Sequence, residues 1–377
     1  MRILILTSRF PYPLEKGDKL RIYHQIRGLA RNHEIHLVAL SDKKVSPSDL
    51  SELKEYCQEV DLFRLSPSLV YLRILMAFLR KKSIQVAYFH NWFLKRKIKR
   101  MILDNPPDLI YCQLIRMSEY VKDIYHIPKC LDYMDAFSKG MQRQAEDSKG
   151  FKRFVFSKEA LRLAAYEERI FHEFDQKTII SEQDRNYLEL DGREEIKIIP
   201  NGVDVEVFKP LNLAKESDLL FVGNMSYYPN VKAAHFLAER IQPLLVNRGR
   251  ALKILISGAN PSPSVKGLET NGLKIQGWVD SIVETYQKSR LFVAPLFHGS
   301  GLQNKILEAM ACGLPVLTTS QTNNAIGARD REEIWICDTE EEFIEGIQSL
   351  LEDQELYQRL SQNARIFVES KYSWESC

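Results

Sequence analysis

The chain has 377 residues, more than one hydrophobic core ordinarily holds, so two domains are expected. Its residues are 27% charged but balance to a net charge of +2, which speaks against the strongly basic surface of a nucleic-acid binder. The six cysteines, Cys57, Cys112, Cys130, Cys312, Cys337 and Cys377, include no CxxC pair, which argues against a zinc site or disulfide framework and for a reducing compartment.

The N-terminal "MRILILTSRF" is too short an apolar run for a signal peptide, and no stretch is long and apolar enough for a membrane span. "RILILTS" reads as a strand, and "GDKLRIYHQIRGLARNH" as a helix that places Leu20, Ile22, Tyr23, Ile26, Leu29 and Ala30 near one face with basic residues opposite. "EIHLVALS" and "VDLFRL" are the next strands. Residues 66–103 break the alternation, mixing aromatics and aliphatics with Arg73, Arg80, Lys81, Lys82, Lys95, Arg96, Lys97, Lys99 and Arg100. Such a segment can lie on an anionic membrane surface; two packed helices with a solvated basic rim are the competing reading. "DLIYCQL", "KCLDYMD", "KTIIS" and "IKIIP" complete the first set of strands. Several lack polar alternation, as strands buried on both faces of a parallel sheet do.

A polar, turn-rich join follows near 201–217, where Asn201 and Gly202 set a turn. The pattern then restarts with "SDLLFVGN", the helix "NVKAAHFLAERIQPLL", "ALKILISG", "GLKIQGWV", the helix "DSIVETYQKS", "RLFVAPL", a helix over 302–312, "PVLTTS" and "EIWICD". Strand–helix alternation in both halves means two open, doubly wound α/β domains.

The stretch "HGSGLQNKILEAMACGLPV" has the chemistry of an anion site. A helix N-terminus offers unpaired N–H groups and partial positive charge. Gly299 and Gly301 allow close backbone approach, and Lys305 adds a full charge. Glu308, three residues on, lies on the same side and can accept hydrogen bonds from ribose hydroxyls. The alternative is a plain helix–strand unit in which Glu308 pairs with Lys305. Gly223 and Gly258 end strands and permit close approach by a nucleotide. Asp132 and Asp135 lie where open sheets place ligands, with helix capping as the alternative for Asp135. Ser181 reads as an N-cap. His298 precedes the phosphate turn, although a lone histidine is usually structural.

"KILEAMACGLPVLTT" and "IIPNGVDVEVFKP" resemble the donor-site and interdomain segments of family 4 retaining glycosyltransferases, which have the GT-B fold. "FVGNMSYYPNVKAAHFLAERIQPLL" and "GWVDSIVETYQKSRLFVAPL" follow in the matching order. "FPYPLEKGDKLRIYHQIRGLA" and "KYSWE" resemble sugar transferases associated with bacterial exopolysaccharide loci. The resemblance spans nearly the whole chain. It implies two Rossmann-like domains facing across a cleft: an acceptor-side domain at 1–200, a nucleotide-sugar domain at 201–360, and a helix at 361–377 crossing back to the first.

The same resemblance implies a metal-independent, retaining hexosyltransferase. Its donor would be a UDP- or GDP-sugar, a substrate rather than a cofactor, and its acceptor a glycan or lipid-linked molecule of surface polysaccharide assembly. Lys305, Glu308 and Asp135 are the expected catalytic group. Asn224, His298, Gly299, Ser300, Gly301, Leu302 and Gln303 join Gly223 and Gly258 at the donor. Gly277, Trp278 and Val279 fall where the base is read, with core packing the alternative for Trp278. Gly17, Asp18, Lys19 and Arg21 form the leaving-group loop. The implied location is cytoplasmic, peripheral at the inner face of the bacterial membrane.

Three departures stand out. Ser300 replaces the family's first donor-helix glutamate. Asn224 and Pro229 occupy the positions of an Arg/Lys diphosphate pair. Gly17 stands alone for a glycine pair. These keep two alternatives open: a catalytically silent sugar-nucleotide-binding subunit, and an epimerase or phosphorylase of the same fold.

Overall fold

The computed structural model describes residues 1–14, 16–279, 281–297 and 301–376. The chain divides into two compact units, Met1–Ile199 and Pro200–Cys377. All thirteen apolar runs named above become strands.

The first unit is a parallel sheet of β1 (Arg2–Thr7), β2 (Glu34–Ser41), β3 (Glu59–Arg64), β4 (Leu109–Gln113), β5 (Lys129–Asp132), β6 (Gln176–Ile179) and β7 (Lys197–Ile198), in the order β3-β2-β1-β4-β5-β6-β7. β1 is central and reads RILILT, with five of its six residues buried, so it has no polar face to offer solvent. Two apolar cores form, one of which holds Ile3, Ile5, Ile22 and Ile26 and the other Leu4, Leu6, Leu163 and Ile170.

The helix Gly17–Leu29 buries Ile22, Tyr23 and Ile26 as its periodicity requires. It also buries Arg21 completely, contrary to the expected division of apolar and basic faces. The Arg21 guanidinium donates to both Asp132 oxygens, at 2.6 and 3.1 Å, and to the Ile199 carbonyl at 2.8 Å. Thr178 donates a further hydrogen bond to Asp132 at 3.0 Å. A buried charge persists only when paired and fully hydrogen-bonded, and this network supplies both conditions. It ties the helix after β1 to the ends of β5, β6 and β7.

The second unit is the parallel sheet β8 (Ser217–Val222), β9 (Ile254–Ser257), β10 (Leu273–Gln276), β11 (Ser289–Ala294), β12 (Val316–Thr318) and β13 (Trp335–Ile336). Its order is β10-β9-β8-β11-β12-β13, so the direction of winding reverses between β8 and β11. The expected segment 361–377 is largely the later part of a helix that begins at Asp353's cap and runs Gln354–Tyr372. This helix sends Leu360, Ala364, Val368 and Tyr372 into the second unit's core.

Two sequence motifs far apart in the chain meet in this unit. Val203 of "PNGVD" donates its N–H to the Tyr372 carbonyl of "KYSWE" at 2.7 Å. A Cβ on Gly202 would come within 2.6 Å of the Trp374 ring and 2.9 Å of its backbone. Only glycine lets these segments lie so close.

Candidate functional site

Open α/β sheets bind ligands beyond the carboxyl ends of strands where winding reverses. In the second unit that point lies past β8 and β11. The turns after β8, β9 and β10 are stitched together there. Gly223 N–H donates to the Ser257 carbonyl at 3.0 Å, Met225 N–H to Ala259 at 2.8 Å, and Gly258 N–H to Gln276 and Gly277 at 3.0 and 3.2 Å. Gly258 has φ +148°, and a Cβ there would stand 1.8 Å from the Gly223 carbonyl oxygen. The two glycines allow backbone to stack on backbone.

The helix Asn304–Ala311 starts beside these turns, with Gln303 at its N-cap position but making no side-chain capping bond, and buries Ile306, Leu307, Ala309, Met310 and Ala311. This apolar face fixes where its two charged residues go. Lys305 donates to Asn230 Oδ1 at 2.5 Å and lies 5.1 Å from the Phe221 ring. Asn230 is itself oriented, because its Nδ2 donates to the Asn224 carbonyl at 2.9 Å. Gly223 makes room for it: a Cβ there would approach Asn230 Cγ to 2.7 Å. Glu308 instead accepts from the Tyr286 hydroxyl at 2.9 Å. Lys305 and Glu308 thus take separate neutral partners, and the simple Lys305–Glu308 ion pair is not formed.

This arrangement has an electrostatic signature. Burial pushes the Lys305 amine down to about 7, with Glu308 only partly opposing. Burial likewise raises the Glu308 carboxyl, against the Tyr286 hydrogen bond and Lys305. Both side chains keep partial solvent exposure, so an arriving ligand can reach them. A cation and a carboxylate held apart beside glycine turns can meet an anion and hydroxyls respectively.

The remaining expected donor residues divide. Gly301, with φ +79°, Leu302 and Gln303 lead into the helix, and the Gln303 side chain bonds the Gly301 carbonyl at 3.5 Å. Asn201 of the join bonds Asn304 at 3.3 Å, linking that turn to the helix start. Trp278 is 71% exposed beside Gly277 and Val279, so it is not core packing. Asn224 turns its Oδ1 back onto Ser226. His298, Gly299 and Ser300 lie outside the described residues. Sequence reasoning missed Asn230 and Tyr286, whose only local signals were a helix start and an apolar helix face.

In the first unit, Gly17, Asp18, Lys19 and Arg21 are not in a loop: the helix already begins at Gly17. Asp18 accepts from Arg9 at 2.5 Å, and its carbonyl accepts from Gln113 at 2.7 Å. Lys19 reaches the Tyr12 carbonyl at 3.4 Å, while Arg21 is locked to Asp132 and is not presented to a ligand. Ser181 caps the helix Glu182–Tyr187, accepting from the Asp184 N–H at 3.1 Å.

Asp135 follows Met134, which has φ +62°, and is exposed. It caps no helix, since the cap position before Phe137 belongs to Ala136. Desolvation by surrounding protein, then Asp184, Glu167 and Asp18, push its carboxyl up to about 7 against Arg116.

Glu167 and Asp184 are buried, and burial pushes them up to about 7 and about 6. Between roughly pH 4.5 and 7 these groups hold more protons folded than unfolded, so their contribution to stability falls as pH rises. Glu167→Gln keeps an acceptor for the Ser138 N–H, which lies at 3.1 Å. The variant should gain melting temperature relative to wild type at pH 7.5 more than at pH 5. Thermal melts giving the same difference at both values would contradict this.

Residues 216–353 match the family described as Glycosyl transferases group 1. The chain is 19% identical, over 98% of its length and 96% of the relative's, to an "Uncharacterized 44.6 kDa protein in cps region" of Klebsiella pneumoniae. It is 25% identical over 46% of its length to the capsular polysaccharide biosynthesis glycosyltransferase CapM of Staphylococcus aureus, covering 51% of that protein. Among solved structures, Anabaena HepE in complex with UDP superposes with a TM-score of 0.68 at 15% identity, covering 100% of this chain and 97% of that one. HepE has also been solved with UDP-glucose. The chain thus carries a group 1 glycosyltransferase domain at residues 216–353 and has the GT-B fold of two Rossmann-like units.

Proposed function

We propose that this protein transfers a hexose from a UDP-sugar, with retention of configuration and without a metal, to a glycan or lipid-linked acceptor in bacterial surface polysaccharide synthesis. The observation that carries the reading is the separation of Lys305 and Glu308 onto Asn230 and Tyr286 at the winding reversal of the second sheet. UDP is favoured because HepE binds it on the same fold, and the polysaccharide pathway because CapM serves one.

In this reading the start of the Asn304–Ala311 helix and Lys305 face the diphosphate, while Glu308 accepts hydrogen bonds from the ribose hydroxyls. Negative charge grows on the diphosphate as the glycosidic bond breaks. A preorganised cation and helix dipole stabilise that charge more than they stabilise bound substrate. The glycines at 223 and 258 let the strand-end turns and Asn230 pack closely enough to hold Lys305 in place. Asp135, at the corresponding strand ends of the first unit, is assigned to the acceptor side.

A thermal-shift panel of UDP-, GDP- and ADP-sugars tests the donor, because a ligand that binds only the folded state raises its stability by mass action. UDP-sugars should give the largest shift, and transfer should leave the anomeric signal of the product in the donor's configuration by NMR. Glu308→Ala should weaken UDP binding about 10- to 150-fold, the equivalent of one hydrogen bond to a charged group. Tyr286→Phe should cost far less, since it removes only the partner that orients the carboxylate. Unchanged UDP affinity in Glu308→Ala would remove the ribose contact from this account.

A further inference from the structure

The basic, aromatic segment 66–103 becomes three helices with different fates. Trp92–Asp104 packs as an ordinary amphipathic helix, burying Leu94, Ile98 and Ile102. Pro67–Leu79, sequence PSLVYLRILMAFL, buries only Val70 and Ala77. Tyr71, Leu72, Leu75 and Leu79 remain 74, 51, 57 and 71% exposed. An apolar patch of this kind on a folded surface marks an interaction face.

A cavity of about 860 Å³ opens beside the end of this helix. Its apolar walls include Phe78, Leu79, Phe154 and Leu161, and its rim carries Lys82, Lys122, Lys158 and Arg162. Glu119 is the single carboxylate among the described residues that line it, and Lys122 already holds it at 3.2 Å. The wall is rigidly built. Buried Glu159, from the helix Gly150–Phe171, accepts from Ser83 Oγ at 2.7 Å and from the Ile84 and Gln85 N–H groups at 3.0 Å each. These are the first N–H groups of the helix Ile84–Phe89, where a carboxylate is favourable.

We propose that this face of the first unit docks on an anionic lipid bilayer, with the Pro67–Leu79 helix lying in the interface and the groove taking a hydrocarbon chain of one of its lipids. Charge selects this occupant. Six lysines and arginines line the groove, Lys81, Lys82, Lys122, Lys158, Arg162 and Arg169, against the one carboxylate of Glu119 among the described residues. Two copies of such a face would repel each other, whereas an anionic leaflet attracts it. An apolar helix face flanked by cations has the composition of an interfacial helix, and a cavity of this size suits one lipid chain. No helix among the described residues is long and apolar enough to cross a membrane, so the contact is one of lying on the surface.

The test is co-sedimentation of the full chain with vesicles of phosphatidylglycerol and phosphatidylcholine, against phosphatidylcholine alone. Binding should be about tenfold or more tighter to the anionic vesicles. Leu72→Ser with Leu75→Ser and Leu79→Ser should weaken it on the order of 100-fold, because three exposed apolar side chains lose their burial in lipid. Lys81→Gln, Lys82→Gln and Lys158→Gln should each cost about fivefold. A short-chain phosphatidylglycerol should raise the melting temperature of wild type but not of Ala165→Trp, which fills the groove. UDP-induced stabilisation should be unchanged in every variant, showing that each folds and keeping this inference separable from the donor reading. Absence of vesicle binding, or full binding by the triple serine variant, would overturn the proposal. So would a solution dimer that the serine changes dissolve while vesicles fail to bind.

Discussion

Replacing Lys305 with alanine is expected to lower kcat about 10²- to 10³-fold while weakening UDP affinity only about fivefold. The lysine is the positive group the structure places at the start of the Asn304–Ala311 helix, and Asn230 holds it with a single neutral hydrogen bond. A neutral partner leaves the charge available for the leaving diphosphate, whereas an ion pair with Glu308 would have neutralised it. Arginine should not restore activity. The pocket between Asn230 and the Phe221 ring seats a compact ammonium, not a planar fork.

The same residue should set a pH dependence. Burial pushes the Lys305 amine down to about 7, so the amine is charged below that value and increasingly neutral above it. A bound diphosphate favours the charged form and raises the pKa again. A fivefold affinity term corresponds to a rise of about 0.7 in that pKa, so UDP binding at pH 8 should take up about a quarter of a proton, and affinity should weaken about threefold as pH rises from 7 to 9. Calorimetry in buffers of different ionisation enthalpy reads the uptake directly, and Lys305→Met should abolish it. Wild-type turnover in Lys305→Ala, with no proton uptake in wild type, would remove the lysine from the mechanism.

Gly258→Ala should destabilise the second unit by several kcal/mol, on the order of 4, and abolish UDP-induced stabilisation. The added methyl would stand 1.8 Å from the Gly223 carbonyl oxygen, on backbone already at φ +148°. Neither contact can be relieved by a side-chain rotation, so the ends of β8 and β9 must separate. That movement displaces Gly223, hence Asn230 packed against it, hence the partner of Lys305. Gly28→Ala is the control: it sits in a helix with nothing within 4 Å of the new methyl, and alanine there should stabilise by up to about 1 kcal/mol. Denaturant melts with and without UDP separate the two outcomes. Equal behaviour of the two variants would show that the close approach at Gly258 is dispensable.

Much of this protein was fixed by local pattern. Thirteen apolar runs were readable as strands because residues buried on both faces of a parallel sheet must be apolar in succession. The join near 201–217 was readable from polar, turn-forming residues, which cannot enter either sheet. The helix expected at 302–312, which forms at Asn304–Ala311, was legible from the glycines before it and the Gly-Leu-Pro break after it, and the three-residue spacing put Lys305 and Glu308 on one side of it.

What periodicity cannot encode is which distant side chains meet. Arg21 reads as an exposed helix cation, yet the crossover after β1 carries it against Asp132 in β5, 111 residues on. Asn230 and Tyr286 reach Lys305 and Glu308 from helices that precede the site by 75 and 22 residues, and only the sheet order brings them there. The helix Pro67–Leu79 has the composition of a core helix, and its exposure follows from the absence, among the described residues, of a neighbour over its outer face. Sequence determined which residues seek burial and where the chain turns. The tertiary structure decided which of them found partners, because pairing energies act through space between segments whose separation along the chain is arbitrary.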